Sequence, residues 1–131
     1  MNKIKCFAVL LSAVLLSGSL YADDLKNALR LYEDGMLVRS RTLFNDIQKS
    51  AGSEEPEGWS VLCDVLMKTV GYEGRMADFV KSNPHSVLIP QIRYAYAANL
   101  FDEKQYKAAS EEFAKIDFKT LYKDQEDEFL F

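Results

Sequence analysis

Residues 97–116 read AANLFDEKQYKAASEEFAKI. Ala97 and Leu100 lie before a polar break at Asp102 to Gln105, and Ala109, Phe113 and Ile116 lie after it, three or four residues apart. That spacing is the helical period, so the stretch is predicted to form the end of one helix, a turn, and a second helix. The same constellation stands upstream. Ala97, Leu100 and Phe113 are matched 34 residues earlier by Cys63, Leu66 and Phe79, and 35 residues before those by Ala28, Leu31 and Phe44. Three sets of small or apolar residues thus share one phase. A period near 34 residues is the signature of a helix–turn–helix array, whose repeats bury their apolar faces against their neighbours.

Working outward, six helices are expected. The first is predicted to start at Asp23-Asp24, which can cap it, and to run to about Asp34, where Gly35 ends it. A second covers about Val38 to Lys49 and presents Ser40, Leu43, Phe44 and Ile47 on one face. After a polar loop over Ser50 to Gly58, a third runs from roughly Pro56 to Thr69 with Trp59, Leu62, Cys63 and Leu66 at helical spacing. A short fourth spans about Gly74 to Lys81, closed by Asn83-Pro84. The fifth, capped by Ser86 with Pro90 in its first turn, runs to about Asp102. The sixth, about Tyr106 to Ile116, is expected to bury Ala109, Phe113 and Ile116. No stretch alternates as a strand would. The fold class expected is all-α, with repeats at about 23–55, 56–87 and 88–121. Adding the period once more predicts a fourth repeat from about 122, begun and cut off at Phe131, so that the chain reads as a piece of a longer array.

The 131 residues suffice for one domain, and 48% hydrophobic with 27% charged residues is a globular balance. Residues 1–22 read as a secretory signal: Lys3 and Lys5, an apolar run from Phe7 to Leu16, small residues at Ser17-Gly18-Ser19, and a cleavage position after Ala22, with Ser19 as the alternative. The run is too short to span a bilayer, so no transmembrane segment is expected in the mature chain. Cys6 falls within the leader and only Cys63 remains, which leaves no intramolecular disulfide; Cys63 is expected to be a buried packing residue. Apart from Lys3 and Lys5 the chain holds 14 basic and 20 acidic residues. Such a surface argues against nucleic acid as a partner.

The phased residues resemble the tetratricopeptide repeat family. Ala97, Leu100, Tyr106, Ala109, Phe113 and Ile116 fall where that family expects them, as do Ala28, Leu31, Gly35, Ser40, Phe44 and Ile47. The middle repeat keeps Trp59, Leu62 and Leu66. It departs at Arg75, which stands at a small-residue helix crossing, at Ser82, which stands at an apolar position, and at the early Pro84. The resemblance implies antiparallel helix hairpins stacked into a right-handed α-solenoid of about three and a half repeats. It also implies a protein or peptide partner bound on a concave surface lined by the first helix of each repeat. Carried over by phase, that surface includes Tyr32 and Glu33, then Asp64, Met67 and Lys68, then Gln91, Tyr94, Phe101 and Asp102. The basic clamp by which some members hold an acidic C-terminal tail is missing: Leu25, Leu29 and Asp64 stand at its positions. The run from Phe79 to Ser86 is similar to repeat proteins of the bacterial periplasm, some of which serve outer-membrane assembly or envelope complexes.

Enzymatic chemistry finds little footing. His85 is the single histidine and sits beside Pro84 in a turn. The sequence has no Cys/His pair, metal-ligand cluster or glycine-rich phosphate loop, so no catalytic residue, metal or cofactor is expected. The acids at 124–128 lack the glycine turn of a calcium loop and suit a helix N-terminus better. The expectation is an exported protein-binding scaffold in the periplasm or cell envelope of a bacterium. The alternative is a docking arm for a catalytic domain lying beyond residue 131.

Overall fold

Each stretch of three- and four-residue apolar spacing forms a helix. The computed structural model describes residues 22–51 and 53–120. Helix α1 spans 22–33, α2 Leu37–Ala51, α3 Glu54–Met67, α4 Tyr72–Ser82, α5 Ile89–Asp102 and α6 Tyr106–Ala114. A 3-10 turn at Phe118–Thr120 follows. Among the described residues there is no strand, so the fold is all-α. The predicted leader up to residue 21 and the predicted fourth repeat from about 122 lie outside the described residues.

Helix α3 is the centre of the packing: it lies against α2, α4 and α5, while α6 packs on α5. Its sequence explains this position. Trp59, Val61, Leu62, Cys63 and Val65 are all buried, so apolar residues cover most of its circumference rather than a single stripe. Burying each of the larger side chains is worth about 1.5–3 kcal/mol. Trp59 stacks on Phe44 of α2 with ring centroids 5.9 Å apart and meets Tyr32 of α1 edge-on at 5.0 Å. At Gly58 a Cβ would stand 2.7 Å from Leu88 Cδ1 and 3.0 Å from Phe79 Cζ, so any side chain there would push these residues back from the start of α3.

The phased sets differ in what they do. Ala28, Cys63 and Ala97 are each fully buried, small residues that let neighbouring helices approach. Phe44 and Phe79 are buried to within 1%. Phe113 of α6 is only half-buried, contrary to expectation, and meets Tyr94 edge-on at 5.7 Å. The leucine set is the least uniform: Leu100 is buried, Leu31 half-buried, and Leu66 is 40% exposed.

Three further expectations shift. The loop before α3 is shorter than predicted, since Ser53 accepts a hydrogen bond from the Glu55 N–H (3.4 Å) and starts the helix ahead of Pro56. Glu54, Glu55 and Glu57 then favour that N-terminus electrostatically. Ser86 does not cap α5: its Oγ accepts from the Leu88 N–H at 3.3 Å, and Leu88 is the residue preceding the helix. Helix α4 has 11 residues against nine for α6, so the middle repeat does not carry the shortest helix among those described.

Left-handed residues end α1, α3 and α5, but not at equivalent places. Gly35 (φ 75°) and Lys104 (φ 62°) precede bonds from Met36 N–H to Leu31 O (2.8 Å) and from Gln105 N–H to Leu100 O (2.9 Å). This is the six-to-one closure of a Schellman turn. In the middle repeat the left-handed residue is Lys68 (φ 52°), and Thr69 N–H bonds Asp64 O at 3.1 Å. Phase would have put it at Val70. The left-handed turn therefore comes two positions early, and Gly71 (φ 78°) supplies a second left-handed residue before α4.

Candidate interaction surface

The first helices of successive pairs touch in order. Tyr32 of α1 meets Trp59 of α3, and Asn99 of α5 donates from Nδ2 to the Val65 carbonyl of α3 at 2.7 Å. The residues expected to line a binding surface are distributed unevenly along these helices. Glu33, Lys68, Phe101 and Asp102 are exposed, and Tyr32, Met67 and Tyr94 are half-buried. Lys68 lies 3.9 Å from Glu103 across the α3–α5 joint. Phe101 is 56% exposed and rests edge-on against Tyr106, equally exposed, at 5.2 Å. That pair forms an apolar ledge at the α5–α6 turn. Tyr106 begins its helix at the turn, and its ring stays outside the core.

Asp64 and Gln91 do not join this surface. Gln91 is 4% exposed, with an amide oxygen that lacks a hydrogen-bond partner among the described residues. Asp64 is 2% exposed and holds three helices together. Arg75 of α4 donates from Nε to Asp64 Oδ2 at 3.0 Å, and Thr69 Oγ1 donates to Oδ1 at 2.7 Å. Arg75 also donates from Nη2 to Thr69 Oγ1 at 2.7 Å and from Nη1 to the Val70 carbonyl at 3.1 Å. From α2, Arg41 brings Nε within 2.6 Å of Oδ1, an ion pair whose N–H is too misaligned to count as a hydrogen bond. Two cations and a hydroxyl offset the cost of burying the carboxylate.

This explains the arginine at the small-residue crossing. Ser40 and Ala109, in phase with Arg75, are both buried, and Ser40 Oγ donates to Ala28 O at 2.9 Å. Arg75 instead leaves the crossing to reach Asp64. Sequence reasoning placed Asp64 on the surface and missed Arg41. A usable signal was present: Asp64 is the single charge between Trp59 and Met67 and needs a partner once that run is buried.

Cys63 is a free, fully buried thiol 4.0 Å from Ser40 Oγ. Burial pushes it up to about 11, against the lowering effect of the Ser40 contact. It is therefore a packing group and a poor nucleophile. Burial also raises the Tyr72 phenol, which a hydrogen bond with Asn99 opposes, and the Tyr96 phenol. The two rings pack edge-on at 6.2 Å. Among the described residues no three His, Cys, Asp or Glu side chains group to hold a metal, and no helix is long and apolar enough to cross a membrane. No protein-family model matches the chain, and neither the curated proteins nor the solved structures give a match.

Proposed function

We propose that this chain is an exported scaffold of tetratricopeptide-like repeats, a right-handed α-solenoid that binds a protein or peptide segment in a bacterial envelope, in association with an envelope or outer-membrane complex. One observation carries the reading. The first helix of each pair contacts the first helix of the next, through Tyr32 and Trp59 and again through Asn99 and Val65, the latter 34 residues apart. Contacts spaced by the repeat are what a stacked array requires. The face of α1, α3 and α5 supplies Met67 and the exposed Phe101, with Tyr106 beside it at the head of α6 and a charged rim at Glu33, Lys68 and Asp102. Aromatic residues and methionine within a polar border suit protein contact.

The test is site-specific photo-crosslinking in the native compartment. A photoreactive residue at Phe101 or Met67 should give one discrete protein adduct, and the same residue at exposed Val38 on α2 should give none. Adducts at Val38 alone would overturn the assignment of the surface. Adducts at none of the three would overturn the scaffold reading.

A further inference from the structure

A second candidate site lies between α2 and α4 and does not depend on the repeat reading. There a groove of about 290 Å³ runs over α3, which forms its floor. Because α2 and α3 are antiparallel, their polar residues meet in register. Arg41 pairs with Asp64 (2.6 Å), and four residues along α2 the Asn45 Oδ1 accepts from Ser60 Oγ (2.6 Å). The next turn brings Gln48 and Glu57 to the groove wall. On α4, Arg75 stands at the Asp64 end and Asp78 lies one turn further along. The groove is thus polarised, with the arginines at one end and Glu57 and Asp78 toward the other. With a helical rise of about 1.5 Å per residue, Asp78 lies about 5 Å and Glu57 about 10 Å along from the arginine end.

The two arginines are not equivalent. All three nitrogens of Arg75 donate to groups of the protein itself. Arg41 is held at Asp64 by its charge, yet its guanidinium makes no hydrogen bond among the described residues, and its side chain is 36% exposed. A guanidinium fixed in place with its donors uncommitted presents the fork that binds a carboxylate with two parallel bonds. A plain carboxylate would then face Glu57 and Asp78 along the groove. A ligand that also carries a cation converts that repulsion into attraction.

We propose that this groove binds a small zwitterion, its carboxylate on Arg41 and its ammonium or guanidinium, some 5–10 Å away, between Asp78 and Glu57. A free amino acid charged at the far end of its side chain has that shape, and so does an extended peptide of two or three residues. The chemistry recognised is the same in both.

The probes are ε-aminocaproate, triglycine, caproate and hexylamine, titrated into the full chain and followed by backbone amide NMR. Saturable shifts confined to residues 41–48, 57–64 and 75–78 are expected with ε-aminocaproate or triglycine, and their relative affinities separate the amino-acid source from the peptide source. Caproate and hexylamine each lose one charged contact, so each should bind at least roughly tenfold more weakly. Arg41→Lys keeps a cation for Asp64 but removes the fork, and a similar loss is expected. Glu57→Gln with Asp78→Asn lies outside the Asp64 cluster, and should reverse the preference toward caproate. If neither zwitterion saturates at millimolar concentration, or if caproate binds as tightly as ε-aminocaproate, the proposal fails. The ligand arms decide it even where a variant folds poorly.

Discussion

Asn99 and Val65 are 34 residues apart, and the Asn99 amide donates to the Val65 carbonyl at 2.7 Å within a joint that leaves Asn99 6% exposed. The acceptor lies near the C-terminal end of α3, where carbonyls run short of helical partners. One side chain of the third pair thus joins the Lys68 N–H (3.2 Å) on a carbonyl at the end of the second pair's first helix.

Asn99→Ala should therefore cost about 0.5–1.5 kcal/mol, the net worth of one hydrogen bond, since the Val65 carbonyl keeps the Lys68 N–H at 3.2 Å. Chemical denaturation with an unchanged slope would register the loss as a lowered midpoint. An unchanged midpoint would mean that the α3–α5 joint does not depend on this bond.

The Asp64 cluster makes a larger demand. Breaking a buried ion pair by removing one partner costs about 3–5 kcal/mol when the survivor stays buried. At Asp64 the survivors are Arg41 and Arg75, with side chains 36% and 41% exposed, which can recover water. Asp64→Ala is expected to fall below that range, at about 2–3 kcal/mol. Arg75→Ala should cost less than Asp64→Ala, because Arg41 and Thr69 still face the carboxylate. The reverse order in thermal melts would show that the carboxylate is not the centre of the cluster.

Cys63 links stability to alkaline pH. Its ordinary value is 9.0 and burial raises it to about 11 in the folded state, so the folded chain holds its proton more tightly than the unfolded chain. That contribution is intact below pH 9, declines as pH rises, and is gone above about 11. At 1.36 kcal/mol per pKa unit, roughly 2–3 kcal/mol is at stake. The raised phenols of Tyr72 and Tyr96 act in the same direction at higher pH. Denaturation midpoints measured across this range should fall less steeply in Cys63→Ala than in the parent. A thiol reagent should label native Cys63 only as fast as the chain opens.

Lys104 occupies the left-handed conformation that Gly35 occupies in the first pair. A side chain there is strained by about 1–2 kcal/mol, part of which glycine returns as unfolded-chain entropy. Lys104→Gly is expected to raise stability by about 0.5–1 kcal/mol. A lower melting temperature for this variant would show that the lysine side chain itself stabilises the turn.

Helix existence and type were legible in the residues because apolar spacing and turn chemistry are local. The run AANLFDEKQYKAASEEFAKI announces its two helices and its turn, and the fully buried set of Ala28, Cys63 and Ala97 follows from phase. Boundaries moved by a few residues at α3 and α5, where Ser53 and Leu88 set the start through hydrogen bonds that the spacing does not record. The candidate surface was legible only in part. Phase located Phe101 and Met67, but it also assigned Asp64 and Gln91 to the same face, and both are buried.

By itself, then, the sequence determined that this chain is helical, where its helices lie, and which small residues sit at their crossings. All of these rest on interactions within a few residues of one another. Tertiary structure alone decided that Arg75 leaves its crossing, that Arg41 joins it at Asp64, and that Tyr106 stays exposed beside Phe101. The physical reason is that a buried charge or an exposed ring is settled by what the neighbouring helix offers. In the middle repeat that offer changed when α3 ended at Met67 and the two-residue displacement of its turn brought α4 within reach of the carboxylate.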